Sequence, residues 1–206
     1  VPYYAKGKNM ATRLVVNNNL KSEISEAFRS IRTNLEFLNN RGEKPVIAIT
    51  STISGEGKTF VAANLGGIIS LLNSRVVLVD LDMRKPRFHE IFEGTDSQKG
   101  LSTILINKYD IEECIHSTNL ENLDYIPAGP IPPNPSELIL GGQFEGLMDH
   151  LKSKYDVIII DTPPVGLVTD GIHALKIASI PIYVIRADFS KKVFLNHVNR
   201  MIRVHK

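Results

Sequence analysis

The sequence is short of several things, and each shortage narrows its class. A single cysteine, Cys114, stands among 206 residues, and tryptophan is absent. One thiol cannot form an internal disulfide, so a secreted disulfide scaffold is excluded and a reducing compartment fits; Cys114 reads most simply as a small apolar packing residue. No apolar run approaches the roughly 20 residues that a membrane-crossing helix needs, and no segment reads as a signal peptide. Net charge is only +2, with charged residues at 22%, so bulk composition demands no nucleic-acid partner. The six histidines are scattered, with no H-x-x-x-H or Cys/His grouping, which leaves a zinc site or a histidine-based triad unsupported. Internal repeats and low-complexity stretches are also missing. A chain of this length suits one domain with a sizeable core, expected to be soluble and cytoplasmic.

What is present is a rhythm of buried strands. "PVIAIT" (45–50), "RVVLVD" (75–80), "DVIIID" (156–161) and "IPIYVI" (180–185) are apolar throughout rather than alternating. Strands of that kind are covered on both faces, as in a parallel sheet. Helical patterns fall between them at 58–73, 142–154 and about 170–178, and "LDYIPA" (123–128) is a shorter strand candidate. The expected fold is α/β, a doubly wound sheet with sites at the C-terminal ends of its strands. "GPIPPNP" (129–135) is expected to be irregular. Residues 1–21 read as a polar linker or wrapping arm and 22–206 as the domain. Within 23–39, Ile24, Ala27, Phe28, Ile31, Leu35 and Leu38 line one helical face, with Ser22 or Ser25 as the cap.

The stretch "TSTISGEGKTF" (50–60) follows the first strand and opens a helix. That is the context of a phosphate-binding loop: small residues let main-chain N–H groups converge on a phosphate, and the helix N-terminus adds partial positive charge. Ser54, Gly55, Glu56, Gly57, Lys58, Thr59 and Phe60 are the candidate nucleotide contacts. Lys58 would reach the β- and γ-phosphates and the Thr59 hydroxyl a Mg²⁺ ion. Thr52 stands where the G-x-x-x-x-G-K-[ST] pattern has its first glycine. Carboxylates for the metal are offered by two strand ends, Asp80 and Asp82 after one and Asp161 after another. Asp80 and Asp82, two apart in extended chain, would point the same way. Arg84, Lys85 and Arg87 follow; they would steer phosphate or an acidic substrate, or simply face water. A dinucleotide fingerprint would need glycine where Phe60 stands, and "ADFS" (187–190) is not the D-F-G of eukaryotic-type kinases.

Five ordered blocks carry a resemblance: "SEAFRSIRTNLEF" (25–37), "STISGEGKTFVAANL" (51–65), "VVLVDLDMRKP" (76–86), "IPAGPIPPNPSELI" (126–139) and "YDVIIIDTPPVGLVTD" (155–170). In these the chain resembles the bacterial tyrosine kinases, the cytoplasmic autokinase domains of capsule and exopolysaccharide export, of the polysaccharide co-polymerase type. The resemblance implies a P-loop NTPase fold like that of the septum-site and partition ATPases. Those ATPases usually carry a lysine early in the phosphate loop, where this chain has Ile53, which favours the kinase branch. It also implies ATP/ADP and Mg²⁺ as cofactors. Lys58, Asp80 and Asp82 would be catalytic and Thr59, Asp82 and Asp161 would hold the metal. Of the two neighbouring aspartates Asp80 is taken as acceptor of the tyrosine proton, with the split of roles between Asp80 and Asp82 left open. Glu26, Arg29 and Arg32 match the family's E-x-x-R-x-x-R ring-assembly motif. The implied partners are further copies of the chain, a transmembrane co-polymerase segment or activator and a protein tyrosine phosphatase, with no nucleic acid. The implied place is the cytoplasmic face of the inner membrane.

Two departures from that family are visible. Its acceptors usually form a C-terminal tyrosine cluster, whereas the six tyrosines here lie at 3, 4, 109, 125, 155 and 183. The chain also stops at "MIRVHK" where another strand is expected, as if trimmed at both ends. Lysines and arginines without acids mark 1–22 and 189–206, a balance that favours an anionic membrane surface or plain solubility. A partition-type ATPase switch and a non-catalytic ATP-binding regulator of export are the other readings.

Overall fold

The computed structural model describes residues 1–2, 14–39, 44–92, 94–166, 170–196 and 198–199. Its centre is β1 (Val46–Ser51), β2 (Val76–Asp80) and β5 (Val157–Asp161), every residue of which is buried. They join β3 (His116–Ser117), β4 (Leu123–Ile126) and β6 (Ile180–Val184) in one sheet of order β3-β4-β2-β5-β1-β6. All pairings are parallel except β3 against β4. The uniform apolarity of the strands follows from covering on both faces. Ile47 and Ile49 of β1 join one core layer, while Val46 and Ala48 join the other. Each fully buried aliphatic side chain of this kind contributes roughly 1.5–3 kcal/mol.

The first layer holds α1 (Val15–Asn18), α2 (Glu23–Leu38) and α3 (Lys58–Ser70). The second holds α4 (Leu101–Leu105), α5 (Pro135–Leu140), α6 (Gly142–Lys154) and α7 (Asp170–Ile177). α3 is buried along its length because sheet lies on one side and α1 and α2 on the other. Its buried Asn64 is satisfied twice, donating to Phe60 O (2.9 Å) and accepting from Val16 N–H (3.2 Å). Ser22 caps α2, accepting from Ser25 N–H (3.2 Å), while the Ser25 hydroxyl donates to Asn19 O (2.7 Å).

The structure differs from the sequence expectations at four places. The arm is not wholly a polar linker: Leu14, Val15 and Val16 are core residues. Pro135 opens α5 rather than extending an irregular stretch, because the first turn of a helix does not need the N–H that proline lacks. α3 ends at Ser70, three residues early, in a turn that carries Asn73 at φ 60°. The short helices α1 and α4 and the two-residue β3 lie in segments with no expected element. Cys114 packs in the second layer, where burial pushes its thiol pKa up. The terminal "MIRVHK" and Tyr3 and Tyr4 lie outside the described residues.

Candidate functional site

The loop between β1 and α3 turns sharply at two glycines, Gly55 (φ 91°) and Gly57 (φ 99°). This left-handed region is open to glycine without a steric penalty. Gly57 is the N-cap of α3, so no side chain caps that helix and its first N–H groups stay available to an anion. Lys58, the first helical residue, is only 6% exposed. Phe60 turns its ring away from the loop and packs 6.0 Å from the Phe28 ring. Of the candidate contacts it therefore offers the site main chain alone. Ser54 and Gly55 are exposed.

The glycine missing from the first loop position has a replacement partner. The Thr52 hydroxyl lies 2.6 Å from Tyr183 OH on β6, and Thr52 O accepts from Gly166 N–H at 3.1 Å. A Cβ at Gly166 would stand 2.4 Å from that oxygen, so the segment after β5 can come this close only as glycine.

The carboxylates meet at the C-terminal ends of adjacent strands. Asp80 of β2 pairs in register with Asp161 of β5, and β5 lies beside β1, the strand that feeds the phosphate loop. Both are shut from solvent, at 0% and 1% exposure. Asp80 accepts from three main-chain donors: Asp82 N–H at 3.2 Å, Arg87 N–H at 3.2 Å and Phe88 N–H at 3.4 Å. Burial first, and the neighbouring Asp161 second, still push its pKa well above the usual carboxylate range. Asp161 is raised to about 7 by burial, against the pull of the Lys58 charge and the Thr59 hydroxyl. Its Oδ1 is buried without a hydrogen-bond partner.

Asp82 is placed differently from the sequence expectation. β2 ends at Asp80, and the chain turns at once, with Met83 N–H donating to Leu81 O at 2.9 Å. The two-residue spacing therefore puts Asp82 in a turn rather than on the strand face, where its Oδ1 accepts from Lys85 N–H at 3.1 Å. It remains part of the site, half-buried and close enough to raise the pKa of both other aspartates. The basic cluster spreads out: Arg84 donates to Ser136 Oγ at 3.1 Å, Arg87 pairs with Glu90, and Lys85 is exposed.

Sequence reasoning missed the segment after β6. Arg186 Nη1 donates to Gly55 O at 3.0 Å, and the Ser190 hydroxyl donates to Glu56 Oε1. Nothing local in the sequence marks this contact. Glu26, Arg29 and Arg32 do share a flank of α2, but here they serve their own chain. Glu26 pairs with Arg29, Arg29 Nη2 donates to Leu20 O (2.7 Å), and Arg32 Nη1 donates to Ile68 O (3.2 Å).

Among the described residues no three His, Cys, Asp or Glu side chains form a ready-made metal cluster. The donor set instead suits magnesium, which binds through one or two carboxylates and keeps several waters. The unpartnered Asp161 Oδ1, beside the Thr59 hydroxyl, fits that ion. Among the described residues no helix is long and apolar enough to cross a membrane.

Residues 44–203 match the family model of an AAA domain. The putative tyrosine-protein kinase CapB of Staphylococcus aureus is 40% identical over 91% of this chain and 82% of that protein. The tyrosine-protein kinase Wzc of Salmonella typhi is 46% identical over 71% of this chain, which spans only 20% of Wzc. Among solved structures, the chimerical protein CapA2B2 superposes with a TM-score of 0.89, 39% identity, and coverage of 94% and 85%. The kinase domain of Escherichia coli tyrosine kinase ETK gives 0.88, 27%, and coverage of 96% and 78%. The septum-site-determining protein MinD of Pyrococcus horikoshii, complexed with Mg-ADP, gives 0.64 at 25% identity over 78% of this chain and 65% of that one. A phosphate loop backed by aspartates from two adjacent strands, on a sheet shared with these proteins, places the chain in the bacterial tyrosine kinase family, built on an AAA-type P-loop fold.

Proposed function

We propose that this chain is an ATP-dependent protein-tyrosine kinase that phosphorylates copies of itself and controls capsule or exopolysaccharide polymerisation and export. The observation that carries the reading is the side-by-side burial of Asp80 and Asp161 behind a loop that presents Lys58 and an uncapped helix N-terminus. Two buried carboxylates this close repel each other, and a bound cation would stabilise their charged forms beyond what Lys58 already does for Asp161.

In this mechanism the loop amides and Lys58 hold the β- and γ-phosphates, with Lys58 facing the charge that develops on the transferred group. Thr59, Asp82 and Asp161 hold magnesium, directly or through water, and when bound it offsets the charge of the triphosphate and of the carboxylates. Asp80, whose pKa burial has raised, takes the proton from the acceptor tyrosine hydroxyl. The tyrosine oxygen forms its bond to the γ-phosphorus as the bond to the ADP oxygen breaks.

Self-association through Glu26, Arg29 and Arg32 completes the proposal, since the exposed Glu26 side chain can exchange its own Arg29 for an arginine of a neighbouring copy. A membrane-bound co-polymerase or activator at the cytoplasmic face, and a tyrosine phosphatase to reset the protein, are the partners this reading entails. The test is incubation with γ-labelled ATP and Mg²⁺ followed by mapping of the label. Phosphotyrosine on the chain is the expected result. Release of free phosphate alone would make it an ATPase switch, and no turnover with retained ATP binding would make it a regulator.

A further inference from the structure

Glu56 sits inside the phosphate loop, yet its side chain is turned away from solvent and is only 3% exposed. A buried carboxylate needs hydrogen-bond donors to persist, and two are supplied from opposite directions. Ile53 N–H donates to Oε2 at 2.8 Å, which closes the start of the loop on itself. The Ser190 hydroxyl donates to Oε1, and Ser190 lies 134 residues further along the chain. Ser190 Oγ in turn accepts from Arg186 N–H at 2.9 Å. One residue before Glu56, Gly55 O accepts from the Arg186 guanidinium at 3.0 Å, and that guanidinium stacks 4.9 Å over the Phe189 ring. The segment 186–190 is thus fastened to two consecutive residues of the phosphate loop.

We propose that Glu56 is a positioning residue: through Ile53 and Ser190 it locks the phosphate loop and the 186–190 segment into one unit shaped for a nucleoside triphosphate. The inference rests on the nucleotide-binding reading above. Its physical content is preorganisation. With the Ile53 amide already committed to Glu56, the loop cannot relax into a conformation that turns the remaining amides outward. With Ser190 committed as well, the loop is braced at Gly55 and Glu56 before the ligand arrives, so less ordering is needed on binding.

The test uses the full chain with the variants Glu56→Gln, Ser190→Ala and Ser190→Thr, and the Glu56→Gln/Ser190→Ala double variant. Affinity for fluorescent ADP with Mg²⁺ is measured, together with KM for ATP, kcat and the melting temperature without ligand. Glu56→Gln is expected to weaken nucleotide binding about tenfold, the usual scale for a hydrogen bond to a charged group. KM should rise while kcat changes less. Ser190→Ala should show the same direction, Ser190→Thr should restore affinity, and the double variant should be no weaker than Glu56→Gln alone. Wild-type affinity in Glu56→Gln, additive losses in the double variant, or a drop in melting temperature with unchanged affinity would each overturn the proposal. Should Glu56→Gln fail to fold, the comparison of Ser190→Ala with Ser190→Thr decides. Absence of nucleotide binding by the unaltered chain would instead remove the reading on which the inference stands.

Discussion

The molecule carries two clusters of charge that look alike in sequence and behave as opposites in structure. Asp80 and Asp161 are sealed at the ends of β2 and β5, where burial raises both pKa values and a neighbouring aspartate adds to each, Asp161 beside Asp80 and Asp82 beside Asp161. Glu26, Arg29 and Arg32 lie along α2, where Glu26 keeps 65% of its side chain in water and already has Arg29 as partner. The first cluster is held against the cost of burial, and a bound cation would relieve it. The second is paired within its own chain, apart from the buried Arg32 Nε, which has no hydrogen-bond partner. Perturbed, buried charges of the first kind are candidates for chemistry, whereas an exposed ion pair of the second kind is worth little to stability.

The contrast can be broken most severely at Lys58. Lys58→Met removes the buried positive charge beside Asp161 and, on the proposed mechanism, the main contact to the transferred phosphate; phosphotyrosine formation is expected to fall by about a thousandfold or to background. Label incorporation from γ-labelled ATP measures it.

Asp161→Asn sharpens the contrast by separating stability from function. Its folded pKa of about 7 lies above the ordinary aspartate value, so the folded protein binds more protons than the unfolded chain between those two values. Stability from this group is therefore fully present at low pH and is lost as pH rises through about 7. Asparagine carries no such penalty. In EDTA at pH 8 the variant should melt a few degrees above the parent, and the difference should vanish as the pH drops toward 4. Mg²⁺-dependent nucleotide affinity should be lost in the same protein. A variant that melts below its parent at pH 8 would mean that the Lys58 and Thr59 contacts outweigh burial.

On α2 the effects should be smaller and should divide by burial. Arg32, with only 18% of its side chain exposed, donates to Ile68 O, and Arg32→Ala should cost about 1 kcal/mol in chemical denaturation. Glu26→Ala removes an exposed pair and should change stability by no more than about 0.5 kcal/mol. If the α2 flank is the assembly surface, Glu26→Ala should still lower the mass measured by light scattering. Unchanged mass would confine the residue to its intrahelical role.

How much of this was legible in the sequence depended on the distance over which each signal acts. The central strands were plain because burial on both faces writes an unbroken apolar run, as in Val157–Ile160. The phosphate loop was plain because Gly55, Gly57 and Lys58 are contiguous and their chemistry is local. Asp82 was misplaced because the two-residue rule holds only while the chain is extended, and it turns directly after Asp80. α5 was missed because proline density masks the one position, the first helical turn, where proline is at home. The contacts of Glu56 with Ser190 and of Thr52 with Tyr183 span 134 and 131 residues, and such pairings leave no periodic trace in either segment.

Gly166 shows how hard one such distant contact can bind a position. In a saturation library, Gly142 and Gly146, with no atom within 4 Å of a built Cβ, should accept many side chains. Codon 166 should return as its parent alone: the obstacle is a carbonyl of the phosphate loop, and moving it would reshape the pocket itself.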